Sequence, residues 1–285
     1  MTDHKAEPLI RSVADTARWV AYHRALESER PDALFRDRFA RQLAGERGER
    51  IAKAIGGNRD GTWPFTARTM LMDRMLSAEI AAVADMVINL AAGLDARPYR
   101  MALPPALTWI EVDTAELIDE KEALLGKEKP ACHVERYRRD LAQPAARHEL
   151  FAELGARTRR AVVLSEGLVL YLAPDDVRAL AQDLAAVPAV QSWIFDIYHP
   201  RLLRANTRGR MAKMLAEANA QFRFAPAEGV KFFETTGWHC VEIASTLREA
   251  VRLGRMPWFL RLMVWLFERG PDERFTWSAV CRLAR

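Results

Sequence analysis

Met86-Val-Ile-Asn-Leu-Ala-Ala-Gly-Leu-Asp95 and Leu107-Thr-Trp-Ile-Glu-Val-Asp113 decide the fold. Each opens as a short apolar run and ends in small or acidic residues. Further runs follow at His133 to Tyr137, Ala161-Val-Val-Leu164 and Val190 to Ile197, with helical patterns between them at Thr114 to Leu125, Gln143 to Leu154 and Pro174 to Val187. Alternation of this kind indicates βαβ units and therefore a mainly parallel sheet in an α/β fold. Trp238 to Ile243 and Phe275 to Leu283 read as two closing strands, the last alternating as an edge or antiparallel strand does.

Before residue 85 the pattern is helical. Val13, Ala17, Val20, Ala21, Arg24 and Ala25, then Leu34, Phe35, Phe39 and Leu43, recur at steps of three and four, which predicts two helices. Gly56 to Gly61 is a loop by its turn residues, and Thr66 is placed to cap a helix running to about Ala84. No linker divides the chain, so residues 1–285 are expected to form one domain.

Composition narrows the function classes. Of 285 residues, 50% are hydrophobic and 28% charged, enough for a large core. Lys and Arg number 42 against 38 Asp and Glu, and the net +4 is spread along the chain, which gives no footprint for nucleic acid. Cys132, Cys240 and Cys281 are far apart and lack a CxxC pair, which points to a reducing, cytoplasmic setting rather than to a disulfide framework or zinc ribbon. The Cys132-His133 and His239-Cys240 pairs lack metal-ligand spacing, and no metal is expected. The opening residues lack a signal peptide's apolar core, and no apolar run approaches the roughly 20 residues of a membrane span. Met256 to Phe267 is the most apolar stretch; it reads as a buried helix, with a homodimer contact or a membrane-surface helix as alternatives.

Ligands of open α/β sheets sit at the carboxyl ends of the strands, so the residues following each run carry the chemistry. They form a row: Ala91-Ala92-Gly93 after the first strand, Asp113 after the second, Asp140-Leu141 after the third and Ser165-Glu166-Gly167 after the fourth. Asp113 lies 20 residues beyond Gly93, the spacing at which a carboxylate reaches the ribose hydroxyls of an adenosine. The full G-x-G-x-x-G fingerprint is absent, which disfavours the pyrophosphate of NAD or FAD and leaves an adenosine without phosphates compatible. A solvated rim of helix caps is the plain alternative for the same row.

Four segments in order carry a resemblance: Asn89-Leu-Ala-Ala-Gly-Leu-Asp-Ala-Arg-Pro-Tyr-Arg100, Trp109-Ile-Glu-Val-Asp113, Arg139-Asp-Leu141 and Ser165-Glu-Gly-Leu-Val-Leu-Tyr-Leu172. They resemble the leucine carboxyl methyltransferase family, and more closely its bacterial, polyketide O-methyltransferase-like branch of class I S-adenosylmethionine-dependent methyltransferases. The likeness extends to Thr16 to Arg24, Pro64 to Arg68 and Phe232 to Trp238. It implies a Rossmann-like sheet of seven strands in the order 3-2-1-4-5-7-6 with the seventh antiparallel. It also implies a helical lid over residues 1–65 and a cofactor-binding core over residues 66–285.

The resemblance further implies roles. Arg68 would grip the methionine carboxylate of S-adenosylmethionine, Gly93 would keep the turn open, and Asp113 would hold the ribose. Asp140 and Leu141 would frame the adenine, and Glu166 would lie near the methionine portion. Two positions depart from the family pattern: Ala91-Ala92-Gly93 stands for Gly-Ala-Gly, and Ala96 for a threonine. Asp95 and Arg97 read as a structural pair beside that turn.

Methyl transfer from a sulfonium needs alignment and exclusion of water more than it needs acid or base. A carboxylate acceptor requires no base, whereas a phenol or alcohol gains from one. Tyr171, expected at the start of a helix, and His199, after the fifth strand, are the candidate catalytic residues; His23 could also reach the pocket, although a packed helix histidine is the plainer reading. The expected activity is O-methylation of a carboxyl or hydroxyl group on a small molecule, the alternatives being methylation of a protein C-terminal carboxyl group and cofactor binding without turnover.

Overall fold

The computed structural model describes residues 9–55, 61–82, 84–205, 209–267 and 278–285. Three helices come first: α1 (Val13–Ser28), α2 (Ala40–Ile55) and α3 (Trp63–Ala81). The sheet region then runs β1 (Met86–Leu90), α4 (Arg97–Arg100), β2 (Thr108–Asp113), α5 (Ala115–Leu125), β3 (His133–Arg138), α6 (Pro144–Ala156), β4 (Ala161–Ser165), α7 (Pro174–Ala185) and β5 (Val190–Tyr198). It closes with α8 (Pro200–Ala205), α9 (Gly209–Glu217), β6 (His239–Ser245), α10 (Thr246–Arg252), α11 (Trp258–Phe267) and β7 (Ser278–Ala284). Short 3-10 turns cover Val169–Tyr171 and Gly229–Thr236.

The strands form one sheet in the order β3-β2-β1-β4-β5-β7-β6, as the resemblance implies. Strands β1 to β5 pair in parallel, and β7 runs antiparallel to both β5 and β6. Central strands β1 and β4 are buried at every residue, which is why they read as unbroken apolar runs. Alternate side chains serve two cores. Val87, Trp109, Val162, Ile194 and Val280 pack with Leu71, Met72, Met75 and Leu76 of α3. Ile88, Ile110, Val163, Trp193 and Phe195 pack with Leu150 and Leu154 of α6 and Val177, Leu180 and Leu184 of α7. Edge strand β3 is partly exposed and carries His133, Glu135, Arg136 and Arg138, charges that discourage edge pairing.

Several boundaries differ from expectation. The third helix starts at Trp63, not Thr66, because Pro64 suits a first turn where a backbone N–H is not needed. Residue 65, the expected lid boundary, therefore falls inside α3. The second helix spans Ala40–Ile55 rather than residues 34–43; Gly45 kinks it at φ 57°, and a Cβ at Gly48 would stand 2.5 Å from the Arg18 carbonyl of α1. Tyr171 lies in a 3-10 turn before α7, not at the start of that helix. The loop expected at residues 56–61 falls outside the described residues except Gly61, as do residues 275–277 of the last strand. Helix α11 is not buried all round: Met256 before it, with Leu260 and Val264, packs near Trp63, while Trp258, Phe259 and Leu262 stay exposed beside Arg261. Among the described residues no helix is long and apolar enough to cross a membrane.

Candidate active site

A cavity of about 1360 Å³ opens at the carboxyl ends of β1, β2, β4 and β5, roofed by α1 and by the start of α3. Arg68, Gly93, Asp113, Asp140, Leu141, Glu166 and Tyr171 all line it. At its floor β1 ends and Ala91 turns into the left-handed region at φ 51°, followed by Gly93 at φ 47°. A Cβ on Gly93 would approach the Ala17 side chain to 3.3 Å, so the glycine also lets α1 lie close over the turn. The Gly93 amide donates to Asp113 Oδ2 at 2.7 Å, and the Thr114 amide donates to Oδ1 at 2.7 Å. Burial raises the Asp113 carboxyl above its ordinary range, against the pull of those amides and of Lys121. The β1 turn and the β2 tip are thus locked together, with the Asp113 carboxylate on the cavity wall.

Asp140 and Leu141 continue that wall beyond β3. Asp140 is exposed and accepts the Ala142 amide at 2.9 Å, while Leu141 is partly buried. This end pairs an acceptor group with an apolar one.

Arg68 governs the opposite end. Its Nη2 lies 2.9 Å and its Nε 3.1 Å from Glu166 Oε1, while Nη1 donates to Asp196 Oδ2 at 3.0 Å. Glu166 is shared, for Arg97 Nη2 stands 2.9 Å from its Oε2. Arg97 also meets Asp95 and Asp73, each at 2.7 Å, so the Asp95–Arg97 pair braces the β1 turn. Burial by itself raises the Glu166 carboxyl, yet Arg68 and Arg97 hold it down at about 2. Glu166 is therefore less an isolated anion beside the cavity than a bracket between two arginines. Asp196, near the end of β5, is not among the residues expected from the sequence; its signal there is a lone acid inside an otherwise mostly apolar strand.

The remaining wall is aromatic. Trp19 meets Phe65 edge-on at 5.0 Å, and Phe222 lies 5.2 Å from Tyr171 and 5.4 Å from Tyr198; all five rings line the cavity. Burial raises the hydroxyl pKa of Tyr171 and of Tyr198, so both stay neutral donors at neutral pH. Leu202, Leu247, Met256 and Leu260 add apolar surface, and Arg201 and Arg223 stand on the rim. His199 is not among the lining residues; its Nδ1 accepts the Arg201 amide at 3.2 Å and braces the entry to α8. His23 is buried behind the wall, stacked on Phe65 at 4.1 Å. Among the described residues no cluster of three or more His, Cys, Asp or Glu could hold a metal ion.

The arrangement fits an adenosine-bearing zwitterion: a strand-tip carboxylate for the ribose, a mixed polar and apolar rim for the base, and a charged end for an amino acid. Comparison with known proteins agrees. The leucine carboxyl methyltransferase family profile matches residues 17–185. Two relatives carry the name "Putative S-adenosyl-L-methionine-dependent methyltransferase". The Streptomyces coelicolor protein is 32% identical over 58% of this chain and 62% of its own length. The Frankia alni protein is 29% identical over 90% of this chain and 92% of its own. Among solved structures, a DUF574 family protein from Streptomyces avermitilis superposes with a TM-score of 0.59 at 14% identity, covering 95% of this chain and 97% of that one, which supports the fold.

Proposed function

The chain belongs to the leucine carboxyl methyltransferase family and takes S-adenosylmethionine as methyl donor, and from that premise we propose that it transfers the methyl group to an oxygen of a small molecule, a carboxylate before a hydroxyl. One observation carries the choice of oxygen. Among the described lining residues there is no histidine, and two buried acids of the lining, Glu166 and Asp196, are both paired with Arg68. A phenol or alcohol would find no histidine there to take its proton and would find Glu166 and Asp196 already paired, whereas a carboxylate needs no base.

The donor supplies a sulfonium methyl group, already activated by its positive charge. Asp113 would hold the ribose, Asp140 and Leu141 the adenine, and Arg68 the methionine carboxylate by a fork of parallel N–H donors. Trp19, Phe65 and Phe222 exclude water, which leaves the acceptor oxygen poorly solvated and reactive. The neutral hydroxyls of Tyr171 and Tyr198 can donate hydrogen bonds that orient the acceptor. The exposed guanidinium groups of Arg201 and Arg223 line the cavity and would favour an anion at the rim. With the donor bound and a carboxylate as acceptor, methyl transfer would require no side chain to take up or release a proton.

The product distinguishes the acceptors. With methyl-labelled donor and a panel of aromatic and aliphatic acids beside phenols, label should enter the acids and be released as methanol by mild alkali, as an ester requires. Alkali-stable label confined to phenols would reverse the assignment.

A further inference from the structure

The pair Arg68–Asp196 joins residues 128 apart in sequence, deep in the cavity, and Asp196 is almost fully buried. Asp196 Oδ1 accepts the Gly167 amide at 2.6 Å, and its Oδ2 accepts Arg68 Nη1. The two acids on Arg68 are not equivalent. If an incoming carboxylate takes Arg68, Glu166 keeps Arg97, whereas Asp196 keeps only one backbone amide and no cation among the described residues. A buried carboxylate in that state is unfavourable unless another cation arrives.

The methionine end of the donor carries such a cation one carbon away from its carboxylate. Resting on the cofactor reading above, we infer that Asp196 receives the α-ammonium group of S-adenosylmethionine, the internal Arg68–Asp196 pair being exchanged for the ligand's own zwitterion. Carboxylate goes to Arg68 and ammonium to Asp196. Because the pair is already oriented toward the cavity, the exchange swaps partners without creating a buried unpaired charge, and Gly167 fixes Asp196 while it happens. Asp196 is then a binding residue that selects a zwitterion over a simple acid.

Calorimetric titration tests this with two probes, S-adenosylhomocysteine and its deamino analogue, which keeps the carboxylate and lacks the ammonium. The native chain should bind the first about 10- to 100-fold more tightly, the range of one charge-assisted hydrogen bond. In Asp196→Asn, whose amide oxygen can still accept the Gly167 N–H, that gap should shrink to within about threefold through weaker binding of S-adenosylhomocysteine alone. A gap that persists in the variant, equal weakening of both ligands, or no preference in the native chain would each overturn the assignment. Failure of the native chain to bind either ligand would instead remove the cofactor site and this inference with it.

Discussion

Ala91 occupies a backbone conformation that suits glycine. At φ 51° its Cβ crowds the neighbouring carbonyl, a cost of about 1 kcal/mol that glycine avoids. Ala91→Gly should therefore stabilise the protein by about 1 kcal/mol, less the entropy that glycine adds to the unfolded chain; chemical denaturation measures it, and a loss of stability would show that the Ala91 methyl packs usefully. The same residue marks what was legible. The substitution of Ala91 in a Gly-Ala-Gly turn is plain in the sequence, but its left-handed φ is visible only in the fold. Asp196 is the converse case: its identity is plain, yet its pairing with Arg68 depends on β5 lying beside β4 and on α3 crossing them.

Helices α1 and α3 meet through His23. The ring stacks on Phe65 at an interplanar angle of 7°, and its Nδ1 has no hydrogen-bond partner among the described residues. Burial lowers its pKa from 6.5 to about 4. The folded state thus prefers the neutral ring, while the unfolded chain takes up a proton near 6.5. Stability should be constant above that pH and fall as pH drops toward 4, by up to about 3 kcal/mol. Glu166 acts in a lower window, from 4.5 down to about 2, where protonation releases its arginines. Denaturation at pH 7 and pH 4.5 should show the His23 loss, and His23→Phe, which keeps the stack, should abolish most of it; an unchanged slope in the variant would place its origin elsewhere. The existence of α1 and α3 was legible from apolar spacing. Their starts were less so, since Pro64 and Gly45 decide boundaries that periodicity does not register.

The molecule brings the ends of five strands to one cavity. Strand positions were legible because β1 and β4 are buried on both faces and β3 is a charged edge, and the sequence of small and acidic residues after them was legible for the same reason. The aromatic wall was not, because Trp19, Phe65, Tyr171, Tyr198 and Phe222 come from separate segments and meet only when α1 covers the sheet. We propose that Asp113, fixed by Gly93 and Thr114, is the residue through which the cavity holds an adenosine cofactor. Titration of the native chain with S-adenosylhomocysteine, beside Asp113→Ala, tests it most directly. The expected result is micromolar binding, about −8 kcal/mol, weakened at least about tenfold in the variant, as loss of a charged hydrogen-bond acceptor requires. No binding by folded native protein, or equal affinity in the variant, would rule out this role for Asp113.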